Sequence, residues 1–433
     1  MGYCGGVCNV AVLMKSSVEY DAIIIGGGPA GSTIATLLAM KNRRVLLLES
    51  EKFPRYHIGE SLVPGVLPVL DELQVLDKVR AHGFVKKNGI TFVWGKNSEQ
   101  WTIRFDEKSP AAQKYGSTFQ VIRSEFDNLL LRHAESKGVD VREEHKVIDV
   151  IFEGDRCNGV KYKNSRGEVK EVRGRYTVDA SGQAAVFGKY LDTVDHDLRL
   201  KSVATWAYFK GVAPETGERN GNILVETTPY GWLWVIPQHD GRTSVGWVAW
   251  ATKYKELLGG SIATTFAKVL DSSSEAHRRL QRAQQDSEIY STRDWSYRCR
   301  QLTGPGFLMV GDAAGFVDPL FSTGVWLATK AASLGAQIIN ESLENPAQEQ
   351  ECMTVYEASY QHFLSQILDF VRYFYDSSLI REEYFHKAQE ILDPEKKDTA
   401  RGDFIQLISG VSGLHRFLES GGKAPIGVEY QKG

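Results

Sequence analysis

The chain has 433 residues, 42% hydrophobic and 24% charged, with 51 Lys and Arg against 54 Asp and Glu for a net charge of −3. Those proportions exclude a disordered or fibrous chain, and a length near three times one ~150-residue domain implies a large α/β domain joined to a second one. The basic excess of a general nucleic-acid binder is missing, and so is any run of about 18 apolar residues that could span a membrane. The expectation is a soluble, cytoplasmic protein with neither nucleic acid nor membrane as partner. Its five cysteines, Cys4, Cys8, Cys157, Cys299 and Cys352, are odd in number and scattered, so neither a disulfide framework nor a metal site is expected. Residues 1–18 read as a disordered tail that lacks the charged start and cleavage site of a secretory signal.

In chain order, Tyr20–Ile25 is a short β-branched run that reads as a buried parallel strand. Gly26-Gly-Gly-Pro-Ala-Gly31 follows directly, Ser32–Met40 predicts a helix, and Val45–Leu48 predicts a second buried strand ending in Glu49. Strand, glycine turn, helix, strand and acid make a dinucleotide-binding βαβ unit. Gly26 permits the tight turn and Gly28 lets the backbone approach a pyrophosphate. Ala30 and Gly31 open a helix with a partly positive N-terminus, Gly31 allows close helix–strand packing, and Glu49 is placed to accept ribose hydroxyls.

A helix is expected over Ser124–Lys137, with strands at Val139–Val141, Val147–Phe152, Gly159–Tyr162 and Tyr176–Val178. From about Leu200 the pattern changes to aromatic-rich strands: Val203–Val212, Asn222–Val225, Trp232–Pro237 and Thr243–Trp250. Asp240-Gly241 marks a hairpin, and the stretch reads as an antiparallel sheet in a domain of its own. Phe307–Val310 returns to a buried strand, and a long helix runs from about Ser322 to Ser342. Tyr356, Tyr360, Phe363, Ile367, Phe370 and Phe374 then form one apolar helical stripe.

Phe307-Leu-Met-Val-Gly311-Asp312-Ala-Ala-Gly315 resembles the second FAD motif of flavoprotein hydroxylases, where the Asp contacts the ribityl chain. Gln120-Val-Ile-Arg123-Ser-Glu-Phe-Asp127 resembles the same group's segment whose Arg packs along the flavin. With the glycine turn, these imply FAD in a Rossmann-like domain of the flavoprotein monooxygenase type. That domain is expected from residues 19–85, 117–195 and 298–345, the antiparallel-sheet substrate domain from 86–116 and 196–297, and a helical region from 346–433. Where nicotinamide-linked members carry Asp-Gly, this chain has Asp179-Ala180, and no second glycine-rich βαβ unit follows. Reducing equivalents are therefore expected as free reduced flavin from a separate reductase.

Further motifs resemble the flavin-dependent halogenases over nearly all of residues 19–415. They are Phe53 to Pro64, containing Gly59-Glu60-Ser61-Leu62, then Gly83 to Gly95, and Trp232-Leu-Trp234-Val-Ile236-Pro237, which matches the family's Trp-x-Trp-x-Ile-Pro at every specified position. The resemblance implies that reduced FAD (FADH2), oxygen and chloride or bromide yield hypohalous acid, which reaches a lysine and then an electron-rich ring. Family spacing to Gly89 selects Lys87 over Lys86 for that lysine, and Trp232 and Trp234 keep substrate from the flavin. Glu60 and Ser61 fall with Arg123, Gly311 and Asp312 among the cofactor residues, and backbone N–H groups of Thr323 and Gly324 would hold the halide.

Phe321 stands where free-tryptophan members carry Glu, and Trp326 where many carrier-acting members carry His. The tail motifs Phe370–Asp376 and Arg381–Lys387 resemble halogenases of carrier-bound aryl groups. A phenol, tyrosyl or pyrrole ring, tethered to a carrier protein rather than free, is the substrate this implies. An aromatic hydroxylase and a prenyl-chain reductase of related fold are the alternatives, along with a flavin-binding protein without activity.

Overall fold

The computed structural model describes residues 18–107, 114–257, 260–293, 296–395 and 398–410. The expected tail, apart from Val18, and Cys4, Cys8 and residues 411–433 lie outside them.

Tyr20–Ile25 forms the centre of the first sheet. Ala22, Ile23, Ile24 and Ile25 are buried, which is why the run shows no polar alternation. The strand pairs in parallel with Val45–Leu48 on one side and Val169–Asp179 on the other. The main order is Thr303–Gly304, Phe307–Met309, Val169–Asp179, Tyr20–Ile25, Val45–Leu48 and Asp140–Arg142, and Arg156–Lys163 joins Val169–Asp179 to Lys146–Glu153. The crevice at the carboxyl end of the central strand therefore opens at Gly26, as in doubly wound sheets generally. The following helix is Pro29–Met40, three residues earlier than the sequence suggests, because a proline costs nothing in the first turn.

The second sheet runs Gln284–Gln285, Ser202–Lys210, Arg242–Trp250, Gly231–Pro237, Ile223–Thr228, Gly89–Val93 and Gln100–Arg104, with Tyr290–Arg293 also pairing to Ser202–Lys210. One of its pairs, Ile223–Thr228 with Gly89–Val93, is parallel, so the purely antiparallel expectation is corrected there. Parallel neighbours need a crossover, and here residues 94–222, which include the first-sheet strands Asp140–Arg142 and Val169–Asp179, separate the two strands in the chain. Lys87 belongs to neither large sheet: Val85–Lys87 pairs with Thr118–Gln120.

The aromatic strands of this sheet are covered on both faces. Phe92, Trp206, Trp232, Trp234 and Ile236 point into the main core, while Leu233, Val235, Trp247 and Phe209 pack with Phe266, Val269 and Ala276 in a smaller one. The helices that close this outer face, Ile262–Asp271 and Glu275–Leu280, are missed by the sequence reading. Glu226 fixes the second of them: its carboxylate accepts the backbone N–H groups of Glu275 at 3.1 Å and Ala276 at 2.7 Å, satisfying donors that a helix start leaves free.

The long helix begins at Gly324, not Ser322, because Ser322 has φ +60° and cannot be helical. It runs to Glu344 and is followed by Glu349–Phe374, Arg381–Leu392 and Ala400–Ser409. Phe374 is fully buried and joins three regions, with ring centroids 5.6 Å from Phe92, 4.8 Å from Phe321 and 4.5 Å from Tyr384. Among the described residues no helix is long and apolar enough to cross a membrane.

Trp326 lies between Gly65 and Gly410; a Cβ on Gly65 would meet the indole nitrogen at 2.6 Å. Gly65 has φ −58°, so the obstacle to a side chain is steric and not conformational. Gly65→Ala is expected to lower the unfolding free energy by about 1–3 kcal/mol, the usual cost of overpacking. Urea denaturation measures this, and an unchanged midpoint contradicts the packing described.

Candidate active site

Lys87 is completely buried, whereas Lys86 is exposed on the opposite face of the same short strand. The Lys87 Nζ donates to Ser61 Oγ at 2.8 Å and to the Leu62 carbonyl at 2.7 Å, and stands 5.4 Å from the centre of the Phe105 ring. Burial alone drives its pKa well below the ordinary lysine value of 10.5. Ser61 adjoins Glu60, a buried acid whose Oε1 accepts Tyr208 OH at 2.7 Å and Gln238 Nε2 at 2.5 Å, and whose carboxyl pKa is pushed up by burial. Tyr208 and Gln238 escape the sequence reading because nothing local marks them as partners of residue 60.

At the glycine turn, Gly26 has φ +101°, and a Cβ there would meet the Ala180 carbonyl at 2.5 Å; a Cβ on Gly31 would meet the Gly26 carbonyl at 1.9 Å. Gly28 differs. Its Cβ direction is open, with only Arg55 Nη2 nearby at 3.4 Å. Ala30 is buried in the first turn of the helix. Glu49 Oε2 accepts Gly27 N–H at 2.6 Å, which ties the acid to the turn. Arg123 is clamped by Asp127 at 2.7 and 2.9 Å and donates to the Ile58 and Gly59 carbonyls, and Arg55 stands 3.2 Å from Asp127. Gly311 has φ +61° and leads into Asp312, whose carboxyl is pushed up to about 6 by burial against the pull of Arg123. Among the described residues the Asp312 carboxylate accepts no hydrogen bond. An open cradle at Gly28, flanked by the Arg55 cation, and a partly exposed Asp312 carboxylate fit a dinucleotide cofactor laid along this crevice.

Trp232 and Trp234 are buried on the inner face of the second sheet. Gly246 makes room for Trp234, whose Nε1 donates to Ser244 Oγ at 3.1 Å. Trp232 Nε1 donates to Tyr375 OH at 2.9 Å, and Tyr375 OH donates to Asp318 Oδ2 at 2.9 Å. Asp318 begins the turn that contains Thr323 and Gly324, and burial pushes its carboxyl up to about 7. This link from the tryptophan strand through the C-terminal helices to the turn also escapes the sequence reading. Thr323 caps the long helix and Gly324 is its first residue, and among the described residues neither backbone N–H has a partner. Phe321 packs face to face with Phe370, with centroids 5.4 Å apart, so no carboxylate occupies its position. A cavity of about 220 Å³ opens against Trp94, Tyr230, Trp232, Lys253 and Tyr375.

The family model described as tryptophan halogenase matches residues 21–115 and 106–415. A tryptophan 2-halogenase of Chondromyces crocatus is 38% identical over 403 residues, covering 90% of this chain and 76% of that protein. A 1H-pyrrole-2-carbonyl-(peptidyl-carrier protein) chlorinase of Pseudomonas fluorescens is 29% identical over 415 residues, covering 91% and 90%. The solved structure of the myxobacterial chondrochloren halogenase, described as a variant of FAD-dependent halogenases, superposes with a TM-score of 0.78 at 38% identity over 92% of each chain.

The buried amine has a thermodynamic signature. Unfolded Lys87 keeps its proton up to about 10.5, whereas the folded amine releases it at lower pH. Between the two values the unfolded state binds more protons, so stability rises with pH by at most about 1.4 kcal/mol per unit. Urea denaturation at pH 7 and 9 should show this increment in the wild type and its loss in Lys87→Met; equal slopes contradict a depressed pKa.

Proposed function

This chain belongs to the tryptophan-halogenase family of flavin-dependent halogenases, and on that premise we propose that it halogenates an electron-rich aromatic ring through the Lys87 amine. It is an FAD-dependent halogenating oxidoreductase that uses a halide, which sets aside the hydroxylase and prenyl-reductase alternatives. Gly26, Gly28, Ala30 and Gly31 would hold the FAD pyrophosphate beside Arg55, Glu49 would meet the ribose, and Asp312, after Gly311, the ribityl hydroxyls. Arg123, Glu60 and Ser61 would border the ring system. FAD, when bound and reduced, supplies with oxygen the oxidising power that turns halide into hypohalous acid.

The remaining steps fall to the protein. The free N–H groups of Thr323 and Gly324, at the start of a 21-residue helix, suit a halide anion. Trp232 and Trp234 would wall the ring to be halogenated away from the flavin. Lys87 carries the reading, because burial among neutral acceptors lowers its pKa and favours the uncharged amine with its lone pair. That pair takes the halogen from hypohalous acid as the halogen–oxygen bond breaks, and an amine proton leaves with the oxygen as water. The ring then takes the halogen from nitrogen, loses its own proton and restores the amine.

The aryl class follows from Phe321. With its ring locked against Phe370 and Phe374, the turn offers no carboxylate at that position to help an indole. A phenol or pyrrole needs less help, and tethering to a carrier protein would supply effective concentration. The relative named for a carrier-bound pyrrole supports this class. A second reading, free tryptophan, is favoured by the name of the 38% identical relative. A separate reductase would supply the reduced flavin.

Two variants separate holding the flavin from using it. Gly28→Val is expected to fold, since its Cβ direction is open, yet to purify without flavin because the side chain fills the pyrophosphate cradle. Lys87→Ala is expected to keep FAD and make no halogenated product, while Lys86→Ala remains active; flavin-replete Gly28→Val or active Lys87→Ala contradicts the assignment. Product masses from free and carrier-bound phenols and pyrroles, with tryptophan in the same panel, test the substrate. Activity on the first two classes is expected, and efficient, regioselective chlorination of free tryptophan alone overturns that part of the reading.

A further inference from the structure

Away from the amine and the halide turn, three side chains converge from distant parts of the chain. His82 Nε2 lies 2.6 Å from Glu125 Oε2, and His239 Nε2 lies 3.2 Å from the same oxygen. One donor atom from each of the three falls within 4.8 Å of the other two. The rings are braced by Phe84, which stacks on His82 at 4.3 Å and meets His239 edge-on at 5.3 Å. The chain positions 82, 125 and 239 follow no ligand spacing, so the cluster is invisible in the sequence.

We propose that His82, Glu125 and His239 bind one divalent transition-metal ion of the zinc class, with the remaining position open to water. Two imidazoles and one carboxylate form a donor set that borderline metals accept, whereas calcium and magnesium prefer all-oxygen shells. Ligands about 2.1 Å from a tetrahedral centre stand roughly 3.4 Å apart, so the His239–Glu125 spacing is nearly correct and the His82 pair needs to open by less than about 1 Å. His239 Nδ1 is buried and has no hydrogen-bond partner, so its N–H is unpaired when Nε2 binds an ion, a cost the metal bond must exceed. His82 is exposed at the rim, so an ion has an entry path. On binding, each imidazole presents the Nε2 lone pair and carries its proton on Nδ1, and any displaced proton passes to solvent.

The position gives the ion something to do. His82 leads into the strand Val85–Lys87, Glu125 lies two residues after Arg123, and His239 follows Gln238, which donates to Glu60. One ion would therefore pin together the three segments that carry Lys87, Arg123 and the partner of Glu60.

The test uses the FAD-loaded protein treated with EDTA and then titrated with zinc chloride by calorimetry, and separately with cobalt chloride by visible absorption. One ion per chain is expected, with the stronger cobalt absorption of a low-coordinate nitrogen and oxygen site. Both signals should be lost in Glu125→Gln and His239→Ala, read alongside circular dichroism and flavin content. If His239→Ala does not fold, His82→Ala at the exposed rim serves in its place. Absence of stoichiometric binding in the wild type means a hydrogen-bonded His–Glu–His cluster that takes no ion, and overturns the proposal, as does binding that persists in the variants.

Discussion

An amine removed from water with no carboxylate to pair it is the constraint around which the site is organised. Isolating a charged ammonium in the interior is far costlier than letting it lose its proton, so burial itself selects the neutral form. Lys87 satisfies its N–H groups on Ser61 Oγ and the Leu62 carbonyl, two neutral acceptors that leave the lone pair in place. These acceptors must be held still in turn. Ser61 follows Glu60, which is anchored by Tyr208 from one strand of the second sheet and by Gln238 just beyond the end of another. The position of one nitrogen thus depends on Glu60 and Ser61 and on the inner face of the second sheet.

The far side of the site is built by a different device. Trp232, Tyr375 and Asp318 form a continuous hydrogen-bonded link from sheet to C-terminal region to the turn that ends at Thr323 and Gly324. Phe374 reinforces it by packing on Phe92, Phe321 and Tyr384 together. The C-terminal helices therefore do more than cap a sheet, since they set the distance between the tryptophan strand and the helix start. The same aromatic packing holds Phe321 in the turn, so position 321 presents a buried ring against Phe370 and Phe374.

What the sequence makes legible is what is local. The glycine turn declares itself because Gly26 and Gly31 answer steric demands within a few residues, and the central strand because a strand buried on both faces has no polar alternation. Lys87 could be told from Lys86 only through family spacing, for nothing in the residues themselves says which of two adjacent lysines points inward. The outer helix Glu275–Leu280 is hidden because a strand carboxylate at Glu226 fixes its start, whereas Ile262–Asp271 carries a local Ser261 cap that the sequence reading passes over. The Trp232–Tyr375 bond joins residues 143 positions apart, and the parallel pairing of Ile223–Thr228 with Gly89–Val93 is likewise nonlocal. Tertiary partners of this kind leave no periodicity to read.

The claim that most of this rests on is that the Lys87 amine is uncharged in the folded protein near neutral pH. It can be observed directly by carbon–nitrogen correlated NMR of protein labelled at the lysine ε-carbon and ζ-nitrogen, titrated across the stable pH range. One lysine signal, absent from Lys87→Met, should titrate well below 10.5. If every lysine signal titrates near 10.5 and none is lost selectively in that variant, the amine is charged and the account of the site is wrong.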